Sequence, residues 1–271
     1  MRFAAVVFVL LGLAGCSGSA HNGSETVVAA FYPLAWAAER IGGGGIDVVN
    51  LTPPGAEPHD VELSPRDVEA IRDADLVLYA GSGFQPAVED AVRDRNGPSV
   101  DVLGGDDDPH VWLDPVRFAD VVGDLGRALG RRQQATELTA QLRGLDEEYR
   151  RGLERCARRT LVTAHAAFGH LAARYGLRQL SLTGRSPEAD PGPRELERLV
   201  DEVRDSGATT VIAEPLVAEG LATTVAREAG AAVAILDPVE GLTHERIEAG
   251  DDYLSVMREN LAALRKALGC R

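Results

Sequence analysis

Four side chains in this 271-residue sequence could together hold a metal ion. His59 stands in Glu57-Pro58-His59-Asp60, and His110 in the run from Asp108 to Pro115. His165 stands in Thr163-Ala164-His165-Ala166, and Asp237 in Leu236-Asp237-Pro238. Three imidazoles and one carboxylate suit zinc, which takes nitrogen and carboxylate oxygen at about 2.0–2.2 Å in a tetrahedron. Imidazole is a borderline ligand, preferred by zinc over manganese, magnesium or calcium. The spacings are long and irregular, unlike those of a zinc finger. Their weight comes from the elements that carry them.

The pattern along the chain is a strand-helix alternation given twice. Apolar runs at 27–31, 46–51, 75–79 and 99–103 read as strands, with helices between them at 33–41, from Ser64 onward, and at 85–95. Ser64, Pro65 and Asp67 form a helix start, as cap, first helical position and first-turn acid. Helical spacing covers 115–129, and a second helix covers 134–156, with apolar Leu138, Leu142, Leu145, Tyr149 and Leu153 on one face. At 1.5 Å per residue the latter is about 35 Å long, enough for a strut between two lobes. Strands at 160–164, 178–182, 209–213 and 232–236 then alternate with helices at 167–175, 195–205 and 220–229, and a helix over 251–268 closes the chain. The expected fold is α/β: two lobes, each a four-stranded, mostly parallel sheet covered by helices, joined by one long rigid helix. The expected boundaries are 1–16 signal, 17–25 tether, 26–133 first lobe, 134–157 linking helix and 158–271 second lobe. Ligands of parallel α/β sheets bind beyond the carboxyl ends of the strands. His59 and His110 follow strands of the first lobe, and His165 and Asp237 follow strands of the second, so all four should face one cleft.

These same residues carry a family resemblance. His59 with its Glu57-Pro58 lead, the 108–115 run, Thr163-Ala164-His165-Ala166-Ala167-Phe168, Glu214-Pro215 and Asp237-Pro238 occur in this order. In that order they resemble the zinc-uptake solute-binding proteins of ABC transporters, the ZnuA/TroA-like group. The resemblance covers essentially the whole mature chain. It implies two α/β lobes, a rigid linking helix, and one Zn2+ buried in the cleft on His59, His110, His165 and Asp237. It also implies delivery of that ion to a membrane ABC permease. Manganese-binding relatives typically carry glutamate at the third position, so His165 favours zinc. The segment 104–108 is acidic but lacks the histidines that many zinc-binding members carry there, and His170 stands where the family often has tyrosine. Glu214 either accepts a hydrogen bond from a ligand histidine or caps a turn. Trp112 and Phe168 either wall the site or serve core packing. His21 and His244 read as incidental.

Three functions are open to such a chain: zinc carriage, manganese or iron carriage on the same fold, and secreted zinc hydrolysis. A hydrolase would keep an open coordination position and would usually carry a motif such as H-E-x-x-H. That motif is absent, and Glu214 is the only obvious base. Four protein ligands close the metal off from water, which fits carriage and no enzyme activity. A stiff linking helix predicts small lobe rotations.

The termini and the charge complete the reading. Arg2 and the apolar stretch 3–14 form a secretory signal too short to span a bilayer, which needs about 20 residues. Leu13-Ala14-Gly15-Cys16 resembles the lipobox of bacterial lipoproteins, which implies cleavage before Cys16 and a lipid on its sulfur. The small polar residues 17–25 suit a tether. The chain is then expected at the outer face of the cytoplasmic membrane, as a monomer held by its lipid alone. In that oxidising compartment Cys156 and Cys270 can pair, although two unpaired thiols fit the same count. The net charge of −14 argues against nucleic acid, whose phosphates need a basic footprint, and suits a protein that handles cations.

Overall fold

The computed structural model describes residues 24–185, 191–216 and 220–271. The signal and the lipobox Cys16 lie outside the described residues, as does His21. The first half of the chain runs β1 (Glu25–Ala29), α1 (Tyr32–Gly42), β2 (Ile46–Asn50), α2 (Pro65–Asp73), β3 (Leu76–Tyr79), α3 (Pro86–Arg93) and β4 (Ser99–Asp101). Helices α4 (Pro115–Ala128) and α5 (Arg132–Leu153) follow. The second half runs β5 (Thr160–Thr163), α6 (Gly169–Arg174), β6 (Arg178–Ser181), α7 (Pro193–Asp205), β7 (Thr210–Ala213), α8 (Gly220–Ala229) and β8 (Ala232–Ile235), closed by α9 (His244–Glu248) and α10 (Tyr253–Leu268).

The two sheets have the same topology. Their strand orders are β2-β1-β3-β4 and β6-β5-β7-β8, and every strand pair is parallel. The central strands are covered on both faces, and their composition shows it. Val27, Val28 and Ala29 of β1 and Val77 and Leu78 of β3 are fully buried, so these strands read as apolar runs rather than alternations. Local chemistry fixes the helix starts. Ser64 and Asp67 form a reciprocal capping box on α2, and Asp114 accepts the Val116 and Arg117 amides at the start of α4. Helix α9 had no apolar periodicity to announce it. It is a single short turn of helix capped by Thr243.

The expected helix over 134–156 is α5, shifted towards the N-terminus. Gly130, at φ +64°, ends α4 in the left-handed region, so α5 starts directly after it. The far end stops at Leu153 because the chain is diverted there. Arg159 donates to the Leu153 and Glu154 carbonyls, and Cys156 is bonded to Cys270. Helices α4 and α5 pack so closely that a Cβ at Gly126 would stand 2.2 Å from the Ala135 Cβ.

Helix α5 is not the sole tie between the halves. Helix α10 lies against it, and Tyr149 of α5 donates to the Met257 carbonyl at 2.6 Å. Tyr253 of α10 stacks on Trp36 of α1 at 4.8 Å and meets Phe118 of α4 at 4.9 Å. Arg174 of α6 bonds Asp146 of α5 at 2.6 Å and stands 3.2 Å from Asp114 at the head of α4. One core therefore runs through α1, α4, α5 and α10 into the inner side of the second sheet, while a smaller core fills the space under α7 and α8.

The disulfide closes a sequence separation of 114 residues, which in the chain-entropy model contributes about 4–5 kcal/mol. Thiol titration of the denatured, unreduced protein should find neither Cys156 nor Cys270 free, and reduction should lower the denaturation midpoint. Two titratable thiols would overturn the pairing.

Candidate metal centre

Each histidine is presented by a short turn just beyond a strand end. After β2 the chain reaches the turn Pro58–Asp60, where Pro58 fixes the backbone and the Glu57 carboxylate accepts the His59 amide at 3.2 Å. After β4 it reaches His110, which opens the turn Val111–Leu113. Asp108 accepts both the His110 amide, at 3.1 Å, and ring Nδ1, at 2.8 Å. His165 follows β5 directly. Its amide donates to Glu214 Oε1 at 3.2 Å, and its Nδ1 stands 2.5 Å from Glu214 Oε2. A carboxylate this close to Nδ1 favours the proton there and the lone pair on Nε2, the arrangement that orients metal-binding imidazoles. Glu214 thus meets His165 rather than capping a turn.

The three Nε2 atoms converge on one oxygen. Glu240 Oε1 lies 3.7 Å from His59 Nε2, 3.1 Å from His110 Nε2 and 3.4 Å from His165 Nε2. These four ligand atoms all lie within 4.8 Å of one another. With metal–ligand bonds near 2.0–2.1 Å, the edge of a coordination tetrahedron is about 3.3 Å, within the span of these separations. His110, His165 and Glu240 are buried, and His59 nearly so. Neither oxygen of Glu240 and none of the three Nε2 atoms has a well-formed hydrogen bond among the described residues. Buried polar atoms are almost always partnered, so four converging atoms without partners mark a ligand site.

The electrostatics agree. Burial works against a charged His165, but Glu214 and Glu240 outweigh it and lift the imidazole to about 10. His110 is raised in the same way by Asp108 and Glu240 against its burial. Burial would raise Glu240, yet the three histidines hold its carboxyl well below the usual range. Without a metal the site therefore carries protons that a cation must displace. The wall is aromatic. Phe84 meets the His59 ring edge-on at 4.5 Å, and Trp112 lies 5.2 Å from the His110 ring.

Asp237 is not among the converging groups. Its Oδ1 accepts the Val239 amide at 2.7 Å, and its Oδ2 faces Arg246 Nη1 at 3.7 Å. The turn at Pro238 points this short side chain back into its own loop, and Glu240, three residues on, reaches the centre instead. The sequence held a signal for Glu240: an acid between Val239 and Leu242, in a segment that is otherwise apolar apart from Asp237. Phe84 carried no comparable signal. His170 sits beside the centre rather than in it, with Nε2 3.1 Å from the Asp108 carbonyl. Phe168 is buried in the core, and His244 is an exposed residue at the start of α9.

Comparison with known proteins points to the same chemistry. Residues 27–267 match the ZnuA family model, described as "Zinc-uptake complex component A periplasmic". The zinc-binding protein AdcA of Streptococcus pyogenes serotype M1 is 31% identical over 288 residues, covering 90% of this chain and 56% of AdcA. The chain thus spans about half the length of the AdcA proteins it matches. The high-affinity zinc uptake system protein ZnuA of Bacillus subtilis is 29% identical over 306 residues, covering 97% of this chain and 95% of that protein. The crystal structure of the Zn(II)-bound ZnuA-like domain of Streptococcus pneumoniae AdcA superposes with a TM-score of 0.76 at 31% identity, covering 91% of this chain and 99% of that one. The chain belongs to the ZnuA family of zinc-uptake components.

Proposed function

We propose that this chain captures Zn2+ on His59, His110, His165 and Glu240 outside the cytoplasmic membrane and delivers it to a membrane ABC permease. The observation that carries the reading is the convergence of three buried imidazole Nε2 atoms on one buried carboxylate oxygen. Three borderline nitrogens and one oxygen in a tetrahedral arrangement favour zinc over the harder manganese ion, which suits more oxygen and higher coordination. A fourth protein ligand occupies the position that a catalytic zinc would leave to water. Family membership supports the permease as partner, and a pneumococcal relative is a zinc-binding lipoprotein by name. In this reading Cys16 carries the lipid anchor and residues 17–25 are the tether. The protein works as a monomer built of lobes 26–133 and 158–271 about the helix at 134–157.

Replacing His59, His110 or His165 with alanine, or Glu240 with glutamine, should weaken zinc binding beyond the 10–100-fold typical of removing a residue that merely supports a ligand. Chelator competition on the purified protein reads this directly. A His59→Ala/His110→Ala double variant with native stoichiometry and affinity would place the site elsewhere. On metal-stripped protein, zinc should outcompete manganese, and a clear manganese preference would assign the chain to manganese carriage.

The dependence on pH has a definite sign. His110 and His165 hold protons above their ordinary range when no metal is bound and must lose them to coordinate, so binding releases protons. Because His165 is lifted to about 10, zinc affinity should keep rising through pH 7–8.5, where an unperturbed histidine site has already levelled off. Chelator competition across that range, with calorimetry in buffers of different ionisation enthalpy, measures both. An affinity flat above pH 7 would refute the expectation.

A further inference from the structure

The loop that delivers Glu240 contains an outlier. Val239 has φ +57°, the left-handed region, although it is β-branched and fully buried. Among the described residues only one other non-glycine side chain, Ser82, adopts positive φ. A β-branched residue enters this region only when its surroundings force it to.

Those surroundings can be named. Asp237 Oδ1 accepts the Val239 amide at 2.7 Å, closing a tight side-chain turn over Pro238. The backbone of Asp237 is gripped at both ends by Asn260 of α10, whose Oδ1 accepts the Asp237 amide at 2.9 Å and whose Nδ2 donates to the Asp237 carbonyl at 2.6 Å. From the first lobe, the Trp112 indole donates to the Pro238 carbonyl at 2.7 Å. Arg246 faces the second Asp237 oxygen and is itself held by Asp251 and Glu259. Residue 240 comes immediately after, so the direction of its Cα–Cβ bond is set by the backbone of residue 239. Were Val239 to relax to an ordinary extended or helical conformation, the Glu240 carboxylate would swing away from the three imidazoles.

We propose that Asp237 is a positioning residue that holds Val239 in the left-handed conformation and thereby aims Glu240 at the metal. This rests on the reading of Glu240 as a ligand. Asp237 acts as a hydrogen-bond acceptor at one atom, Oδ1. Its charge and any contact with the ion are not needed.

The test is zinc affinity by chelator competition, with the absorption spectrum of the Co2+-loaded protein as a readout of ligand geometry. Asp237→Ala should weaken zinc about 10–100-fold, the range for groups that orient ligands, and should change the Co2+ spectrum. Asp237→Asn keeps an acceptor oxygen at the same place and should stay within a few-fold of the parent. Val239→Gly, which has no aversion to positive φ, should restore much of the affinity in the Asp237→Ala background. The clamp is overturned if Asp237→Asn loses as much as Asp237→Ala, since the carboxylate itself would then be required, or if Asp237→Ala binds normally. If Asp237→Ala does not fold, the Asp237→Asn protein and the double variant decide alone. Glu240→Gln run in parallel separates the failures. Unchanged affinity there removes Glu240 as a ligand, whereas weakened binding there with a normal Asp237→Ala removes only the clamp.

Discussion

Everything in this molecule is arranged around one buried carboxylate facing three imidazoles. Taking Glu240 out of water is costly unless a cation compensates it. In the metal-free protein, protons on the imidazoles supply the compensation; in the loaded protein, the ion would. Two further carboxylates, on Asp108 and Glu214, sit behind the Nδ1 atoms of His110 and His165. The centre therefore selects cations before it selects among them. Choice among cations comes from the donor set, which is three-quarters imidazole nitrogen.

The fold supplies that convergence economically, because the same topology is used twice. In each sheet the chain leaves the carboxyl end of a strand into a short turn, and each turn carries one donor. His59 and His110 come from the first lobe, and His165 and Glu240 from the second. Direct bonds also join the lobes beside the centre, among them Trp112 to Pro238, the Gly55 amide to the Leu242 carbonyl at 3.0 Å, His170 to the Asp108 carbonyl and Tyr253 to the Trp112 carbonyl. The four donors are thus fixed relative to one another by backbone as well as by any ion they share.

The architecture, and the three histidines that the structure brings together, were legible in the sequence, because both rest on local signals. Apolar runs of strand length, broken by caps such as Ser64 and Asp114, predict the elements, and position after a strand predicts His59, His110 and His165. The place of Glu240 beside them was obscured by the turn that begins at Asp237. The place of Asp237 at a strand end is what a ligand would have, yet Pro238 and the left-handed Val239 turn the next residues so that Glu240 arrives there. Backbone reversal by a single non-glycine residue leaves no mark in composition or periodicity. The contribution of α10 was hidden for a related reason. Its amphipathic pattern announces a helix, but the pattern cannot say that Tyr253 reaches across to Trp36 and Phe118.

These contacts decide which parts of the molecule can move when the ion leaves. Helices α1, α4, α5 and α10 share one core, with the Cys156–Cys270 bond at the far end of α5 and Arg174 holding α6 to α5. Parting the lobes as rigid bodies would expose that core at about 25 cal/mol for each Å2 of apolar surface. Two of the ties at the centre are weaker. Trp112–Pro238 and Gly55–Leu242 are neutral hydrogen bonds, each contributing only about 0.5–1.5 kcal/mol net. Both end on the segment 238–242, the one that carries Glu240 and stores the unfavourable backbone of Val239. That segment is itself part of the core, for Leu236, Val239 and Leu242 are buried in it and Asn260 of α10 grips the Asp237 backbone, so breaking the two inter-lobe bonds leaves it attached to α10.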